Sequence, residues 1–350
     1  MNNFKWIVFF PAGKEQTNSI KIAKKYKFKT IGIDRDKNAE GKKYVNKFFL
    51  TKKVIPKINF IDKLKKENFS NIFSISSDVG LNYIKYIKDK FRIDHNFKDY
   101  DLIVNKYKIR KKINKFKLNP IFRYCKNEKE LKKFIKKKKI GTYVTKPIYG
   151  SASKNVSILA NHEDLPKKIK KGFLVEKFIN GSEYTVDGIK IKNKIIYALF
   201  TKKERSIYNK AVARSVSTIN KNSKILKKIK RSTAKILNEL GVITSPFHLE
   251  FINHKNKIFL IDFAARSGGS NIGSKLAQKH SGYNISKAFI DNELFSNSNE
   301  RIKKNKKLKM IWLFNFEKNL KDAMNNEKKY KKIKNLKLIT DKTRDRQIIK

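Results

Sequence analysis

Two carboxylates and an arginine lie close together in the sequence, in neighbouring apolar runs. Glu250 belongs to the first run, and Asp262 and Arg266 belong to the second. The intervening stretch 253–257 is polar and typical of a turn, so the two runs are predicted to pair as a β-hairpin. The alternative is an ordinary surface hairpin in which the arginine and Asp262 form an ion pair.

Folding this hairpin about residue 255 or 256 predicts which side chains share a face. One face would hold Phe251, Phe259, Ile261 and Phe263, and the other would hold Glu250, Leu260, Asp262, Ala264 and Arg266. Carboxylates about 5 Å apart on facing strands repel each other, and a divalent cation removes that repulsion. Mg²⁺ prefers one or two carboxylates together with phosphate oxygens and water. The spacing therefore predicts a magnesium site.

A lysine followed by small residues forms a second constellation. Lys146 ends a predicted strand, and the loop after it contains Gly150, Ser151, Ala152 and Ser153. Such residues let backbone N–H groups approach phosphate oxygens, and a lysine at a strand end adds a fixed positive charge. Taken alone, this pattern also fits an ordinary hairpin with a Gly-Ser turn.

A third constellation is an irregular segment after a predicted strand at 173–177. It carries two carboxylates seven residues apart, Glu176 and Glu183. Exposed backbone groups in such a hinge can bind the edge of an adenine ring, and a carboxylate can bind ribose hydroxyls. The pattern is ambiguous without the other two.

In order and separation, the three constellations resemble the ATP-grasp superfamily over roughly residues 5–290. The branch that they resemble includes the carbamoyl-phosphate synthase large chain, D-alanine–D-alanine ligase and the L-amino-acid ligases. The resemblance implies an α/β and α+β architecture, with an N-terminal Rossmann-like parallel-sheet domain before a two-subdomain ATP-grasp fold. It also implies an ADP-forming ligase that activates a carboxylate as an acyl-phosphate for attack by an amine or a thiol.

The resemblance assigns roles to individual residues. ATP phosphates would contact Lys106, Lys146 and the loop Gly150, Ser151, Ala152 and Ser153, with Lys203 as a further candidate. Adenine would lie on Glu176, Lys177, Phe178 and Ile179, and ribose on Glu183. Glu250 and Asp262 would ligate Mg²⁺, with Mn²⁺ as an alternative, while Arg266 and Lys146 would stabilise the phosphoryl group during transfer.

Three positions depart from the family pattern. Asp262 stands where the family usually has Glu, Ala264 stands where it has a metal-ligating Asn, and Asn155 stands where it has Gly. An alanine cannot coordinate a metal, although some members of the superfamily tolerate one. A degenerate protein that binds ATP without catalysis is therefore an alternative.

The remaining elements support a chain of several units. Strands at 5–10, 30–34 and 72–75 alternate with helical patterns, which predicts a parallel sheet. Asp34 ends the second strand, but the glycine fingerprint of a dinucleotide site is missing, so it is interpreted as a turn residue. We place the N-terminal domain at residues 1–97.

The predicted ATP-grasp domain spans residues 98–298, with a subdomain boundary near residue 175. One helix is predicted from Asp101 through Ile113, and an amphipathic helix is predicted at 225–240. Residues 299–350 would form a small basic C-terminal segment.

The charge of the chain is its most unusual property. Its 85 Lys and Arg against 30 Asp and Glu give a net charge of +55, which would attract nucleic acid. The lysines are dispersed, however, and accompany abundant Ile, Asn, Phe and Tyr, the residues of AT-rich codons. Compositional drift is the favoured interpretation, and a basic nucleic-acid-binding protein is the alternative.

The cysteine, the histidines and the apolar runs limit which classes of protein the sequence fits. Cys125 is the only cysteine, which excludes an internal disulfide and fits a reducing cytoplasm. No base that could activate its thiol is identifiable, and the five histidines are dispersed. The longest apolar run is far shorter than a membrane span of about 20 residues. The expected partners are small carboxylate and amine substrates, and the sequence is compatible with a homodimer.

Overall fold

The computed structural model describes most of the chain in segments. These are residues 5–51, 69–78, 80–138, 141–150, 155–159, 172–205, 213–219, 223–269, 272–303, 305–312, 337–339 and 347–349. The predicted phosphate-loop residues Ser151, Ala152 and Ser153 lie outside them, as does most of the predicted C-terminal segment. No helix within the described segments is long and apolar enough to cross a membrane.

A parallel sheet opens the chain, as the sequence predicts. In chain order its described strands are β1 (Trp6–Phe9), β2 (Lys29–Asp34), β3 (Lys47–Leu50) and β4 (Phe69–Phe73). They lie in the order β3-β2-β1-β4, and all pairings are parallel. Ile7, Val8 and Phe9 are fully buried, because a parallel strand is covered on both faces. Helices α1 (Thr17–Lys25) and α2 (Leu81–Phe91) follow β1 and β4.

A small antiparallel sheet follows two short helices, α3 (Tyr100–Val104) and α4 (Lys106–Lys112). Its described strands are β5 (Phe122–Cys125), β6 (Tyr143–Pro147), β7 (Ser157–Leu159) and β8 (Phe173–Lys177), in the order β5-β8-β6-β7. Helix α5 (Glu128–Lys138) contributes Leu131, Phe134 and Ile135 to the core beneath this sheet. Cys125 lies in the same core, and burial raises the pKa of its thiol to about 11.

A large antiparallel sheet carries the second half of the chain. Its described strands are β9 (Ser182–Ile191), β10 (Lys194–Arg205), β11 (Ala213–Thr218), β12 (Ser245–His254), β13 (Lys257–Ala264), β14 (Lys309–Trp312), β15 (Lys337–Ile339) and β16 (Gln347–Ile349). They are arranged in the order β13-β12-β9-β10-β11-β14-β16-β15. The small sheet ends at Lys177 and this one begins at Ser182, so the chain changes sheet slightly after the predicted boundary near residue 175.

Helices pack on the large sheet through apolar faces. Helix α6 (Lys224–Glu239) begins at Ser223, whose hydroxyl accepts a hydrogen bond from the amide of Leu226 at 3.1 Å. It stops before Gly241, whose φ of +67° favours glycine. A π-helical turn, helix α7 (Ala277–Ser281) and helix α8 (Ile285–Phe295) follow the last long hairpin.

The predicted helix from Asp101 through Ile113 is wrong in one respect, because it is broken at Asn105. This residue has an extended conformation, and its side chain accepts a hydrogen bond from the amide of Lys108 at 3.0 Å. An Asn that caps a helix in this way competes with helix continuation. The break places Lys106 at the start of a new helix.

The predicted hairpin of β12 and β13 is present, but its face assignment is partly wrong. The turn is Lys255-Asn256, and both residues have positive φ, as a two-residue hairpin turn requires. The register then shifts by one residue at Ile261, because Phe251 pairs with Leu260 whereas Glu250 pairs with Asp262. Because of this β-bulge, Phe259 and Leu260, which lie between the bulge and the turn, point to the faces opposite to those predicted. The core side chains of the hairpin include Leu249, Phe251, Ile258, Leu260 and Phe263, without Phe259 and Ile261.

Candidate functional site

Polar residues lie side by side on four neighbouring strands of the large sheet, because of the way these strands pair. Asp262 pairs with Glu250, Glu250 pairs with Thr185, and Thr185 pairs with Thr201. Alternate residues of a strand point to the same face, so a polar face extends from β13 to β10. We define the polar face by Glu183, Thr185, Asp187, Thr201, Lys203, His248, Glu250 and Asp262.

The two predicted metal ligands lie together on the polar face, and each contacts a lysine. Lys203 Nζ lies 2.6 Å from Glu250 Oε1, and Lys106 Nζ lies 2.5 Å from Asp262 Oδ1. Both carboxylates keep access to solvent, with 26% of the Glu250 side chain and 35% of the Asp262 side chain exposed. The register of the hairpin therefore places Glu250 directly opposite Asp262, as predicted.

The lysines keep both carboxylates ionised. Burial raises the pKa of Asp262, but Lys106 and Lys146 outweigh burial and lower that pKa below its ordinary value. Burial acts in the same direction on Glu250, where Lys203 and His248 hold the pKa well below the ordinary value. Burial lowers the pKa of Lys203, yet the nearby carboxylates raise it overall. The pair is thus anionic at neutral pH.

The bulge at Ile261 connects the hairpin to the small sheet. The carbonyl of Ile261 accepts hydrogen bonds from Arg110 Nη2 at 2.7 Å and from Lys146 Nζ at 2.8 Å. These two cations also contact Glu176, at 2.5 Å and 2.7 Å respectively. Bulges often redirect groups near binding sites, and this one supplies a carbonyl to a buried ionic cluster. We call Arg110, Lys146 and Glu176 the buried triad.

Lys146, the predicted phosphate contact, is therefore engaged within the protein. Only 9% of its side chain is exposed. Burial raises the pKa of Glu176, but Arg110 and Lys146 outweigh this and lower it below the ordinary value. Sequence reasoning did not identify Arg110, which lies 66 residues from Glu176 and belongs to no motif.

The hinge between the sheets contains both bonded and unbonded backbone amides among the described residues. The amides of Lys177 and Phe178 donate to the carbonyls of Ile121 and Thr142. For the amide of Ile179, no hydrogen bond is found among the described residues. Phe178 is partly exposed. An amide without a described partner therefore follows directly after an exposed aromatic residue, and such an arrangement can bind a flat base.

Glu183, the predicted ribose contact, lies at the hinge end of β9. Its carboxylate accepts from Arg205 Nε at 2.5 Å, and Lys203 Nζ lies 3.6 Å from its other oxygen. Lys203 thus lies between Glu183 and Glu250, which brings the predicted ribose and metal ligands onto one continuous surface.

The residues just before the predicted phosphate loop are hydrogen-bonded to the helix break at Asn105 and Lys106. The amide of Lys106 donates to the carbonyl of Ile148 at 2.9 Å, and the Asn105 side chain donates to Tyr149 Oη at 3.0 Å. Gly150 follows with a φ of +122°, a conformation that glycine tolerates and other residues rarely adopt. Lys106 and the start of the loop are therefore fixed to each other.

Arg266 joins the hairpin to the segment that follows β4 of the parallel sheet. Its Nε donates to Asp78 Oδ2 at 3.1 Å, and the amide of Ser267 donates to the carbonyl of Ile75 at 2.8 Å. Asp78 belongs to none of the three constellations. Ligands of open parallel sheets bind at the carboxyl edge, and this contact brings that edge of the sheet next to Arg266.

The residues present fit Mg²⁺ by their chemistry. Glu250 and Asp262 are two ionised, partly exposed oxygen ligands at directly opposed positions. In the described part of the chain, no group of three or more His, Cys, Asp or Glu side chains could hold a metal ion. The pair Glu250 and Asp262 therefore suits Mg²⁺, which takes one or two protein carboxylates and completes its coordination shell with phosphate oxygens and water.

Comparison with known proteins agrees with this geometry. Residues 141–275 match the sequence model of the ATP-grasp domain. No match is found among curated protein sequences. The L-amino acid ligase from Bacillus licheniformis is similar in structure, with a TM-score of 0.76 and 15% identity over 100% of this chain and 93% of the other.

Two further solved structures share the fold. N5-carboxyaminoimidazole synthetase from Staphylococcus aureus, complexed with ADP, has a TM-score of 0.77 at 14% identity and covers 100% of this chain and 94% of its own. Phosphoribosylglycinamide synthetase from Anaerococcus prevotii has a TM-score of 0.68 at 19% identity and covers 99% and 94%. The predicted resemblance to the ATP-grasp superfamily and the predicted fold class are confirmed.

Proposed function

From the premise that residues 141–275 match the ATP-grasp domain, we propose that this chain is an ADP-forming ligase that joins a carboxylate to an amine. The observation that carries the proposal is the opposed pair Glu250 and Asp262 on the polar face, each in contact with a lysine. The similar proteins named above, whose fold this chain shares, include an L-amino acid ligase and an enzyme complexed with ADP.

Nucleotide binding is supported by the surfaces on either side of the hinge. The free amide of Ile179 would donate to adenine, and Glu183 would accept from the ribose hydroxyls. Lys203 and Lys106 already lie on the path from the hinge to the carboxylate pair. Phosphate oxygens would take the place of the carboxylates as partners of these lysines. Lys146 would contribute positive potential from its buried position.

Glu250 and Asp262 would hold Mg²⁺. When bound, this ion supplies charge neutralisation to the transferring phosphoryl group. The release of Lys106 and Lys203 from the two carboxylates would make these lysines available to the phosphates. Such an exchange would let the same site hold a cation on its carboxylates and an anion on its lysines.

The reaction itself would proceed in two displacements. An oxygen of the substrate carboxylate forms a bond to the γ-phosphorus while the bond to the departing ADP oxygen breaks. The amine nitrogen then forms a bond to the acyl carbon, phosphate leaves, and the amine loses a proton. Arg266 would stabilise the transferring phosphoryl charge. It lies two residues beyond the end of β13, and Asp78 holds its guanidinium in place.

Ala264 favours a second candidate, a protein that binds ATP without catalysing ligation. Its side chain lies opposite His248 in the register and offers no oxygen to a metal. If a third protein ligand is needed for turnover, nucleotide binding would persist without chemistry.

The test is ADP release measured against panels of carboxylic acids and amines. We expect release to require one member of each panel and to be eliminated in Glu250→Gln. The matched control is Glu128→Gln, which removes an exposed helix carboxylate paired with Lys132. ATP binding without ADP release under any mixture would favour the second candidate, and an absence of ATP binding would exclude both.

A further inference from the structure

A fully buried carboxylate lies behind the proposed metal site. Asp187 has no exposed surface. One of its oxygens, Oδ1, accepts from His248 Nδ1 and from the amide of Gly268, each at 3.0 Å. Its other oxygen accepts from Thr185 Oγ1 at 3.3 Å. A buried carboxylate is costly unless it is paired and hydrogen-bonded, and here the hydrogen bonds come from three separate parts of the polar face and its loop.

His248 continues this chain of contacts to the proposed metal ligand. Its Nε2 lies 3.3 Å from Glu250 Oε1, the same oxygen that contacts Lys203. The imidazole ring is thus held by Asp187 on one side and faces Glu250 on the other. The two ring nitrogens of His248 therefore engage different carboxylates and link buried Asp187 to Glu250.

Gly268 connects the same anchor to the loop of Arg266. A Cβ at Gly268 would lie 2.1 Å from Asp187 Oδ1 and 2.7 Å from His248 Nδ1. No side chain fits at that distance, so the backbone approach is possible only for glycine. Gly268 lies two residues after Arg266, and the approach therefore also limits where that arginine can be.

We propose that Asp187 and His248 form a positioning pair, which sets Glu250 for metal binding and fixes the Arg266 loop from one buried anchor. The inference rests on the proposed function, because it assigns residues that act through Glu250. Groups that orient metal ligands without touching the metal commonly change metal affinity about 10- to 100-fold when they are altered.

Two substitutions separate the two contacts of the ring. The amide nitrogen of Asn corresponds in reach to Nδ1 of His, and that of Gln corresponds to Nε2. His248→Asn should therefore keep the contact to Asp187 and lose the contact to Glu250. His248→Gln should retain a donor toward Glu250. A residue that only fills space would not distinguish these variants.

The measurement is the melting temperature with a fixed concentration of a non-hydrolysable ATP analogue while Mg²⁺ is titrated. In His248→Asn, we expect the midpoint of the Mg²⁺ titration to rise about tenfold. In His248→Gln the midpoint should stay within severalfold of wild type. Equal midpoints in His248→Asn and wild type would overturn the inference, as would equal shifts in both variants.

Gly268→Ala tests the anchor without altering the ring. Its methyl group would displace Asp187, so we expect the Mg²⁺ midpoint to rise as in His248→Asn. Gly269→Ala is the matched control, because a Cβ there meets no atom within 4 Å. Identical midpoints in the two glycine variants would overturn the inference even if His248→Asn fails to fold. A wild-type protein without any Mg²⁺-dependent response to the analogue would instead overturn the proposed function.

Discussion

The buried triad and the carboxylate pair of the polar face use the same chemical groups in different surroundings. In the triad, Glu176 is 2% exposed and its partners Arg110 and Lys146 are almost as enclosed. In the pair, Asp262 is 35% exposed. The triad also binds a backbone carbonyl. In the pair, Asp262 contacts Lys106, and Glu250 contacts Lys203 and His248.

The difference separates a structural role from a binding role. Opening a buried ion pair leaves an unpaired charge in a medium of low dielectric constant, so the triad is expected to stay closed. A partly exposed pair can exchange its lysine for a metal ion at little cost, because water and the incoming phosphates solvate both groups. Exposure, more than residue type, indicates which of the two clusters can bind a ligand.

The largest effect is expected from Glu176→Gln. The substitution leaves Arg110 and Lys146 buried without their counter-charge, and we expect unfolding free energy to fall by about 3–5 kcal/mol. Urea denaturation measures this loss. Glu128→Gln, which opens an exposed helix pair with Lys132, should cost about 0.5 kcal/mol or less. Similar losses in both variants would remove the distinction between the clusters.

Asp262→Asn should affect ligand binding more than folding. The neutral side chain keeps its shape but loses the charge that attracts a cation, so the ATP analogue should bind at least about tenfold more weakly with Mg²⁺, or about 1.4 kcal/mol. Calorimetry with and without Mg²⁺ measures the change. Asp89→Asn, at an exposed pair with Lys85, is the control. Unchanged Mg²⁺-dependent binding would contradict the assignment of Asp262.

Acid should destabilise the triad in a predictable direction. The pKa of Glu176 is lower in the folded protein than its ordinary value of 4.5. Its contribution to stability is therefore fully present above that ordinary value and is lost as pH falls through the lower, folded pKa. Melting temperatures below about pH 5 should fall less steeply in Glu176→Gln than in wild type. Parallel curves would show that the triad does not titrate as proposed.

The smallest effect is expected from Ala264→Asn. It restores an amide oxygen at the position where the ATP-grasp pattern has a metal ligand, and the Mg²⁺ midpoint should decrease severalfold if that oxygen reaches the metal. Ala264→Val adds similar bulk without an oxygen and is the matched control. An equal response of both variants would attribute the change to packing at this buried position.

Much of the fold was accessible from the sequence because its patterns are local. Apolar strands alternating with helices predicted the parallel sheet, and the polar turn at 253–257 predicted the hairpin that carries Glu250 and Asp262. Arg110 and Asp78 could not be found in this way. Their partners, Glu176 and Arg266, lie 66 and 188 residues away, and no periodicity encodes such a distance.

The hairpin shows how a correct prediction can depend on an unforeseen element. A two-residue turn at Lys255-Asn256 would, without a bulge, pair Glu250 with Ile261 and turn Asp262 to the opposite face. The extra residue at Ile261 restores the predicted pairing. The sequence contains no glycine there to indicate a bulge.

The bulge makes the site depend on whether the number of residues in the hairpin is odd or even. Deleting one residue between Glu250 and Asp262 turns one carboxylate away from the other unless the bulge is lost or gained at the same time. A hairpin with a three-residue turn and a regular ladder would also face the two carboxylates together. In that hairpin, however, the carbonyl of Ile261 would no longer be displaced by a bulge toward Arg110 and Lys146. A length change that keeps the two carboxylates together by removing the bulge would therefore still alter the coupling between the two sheets.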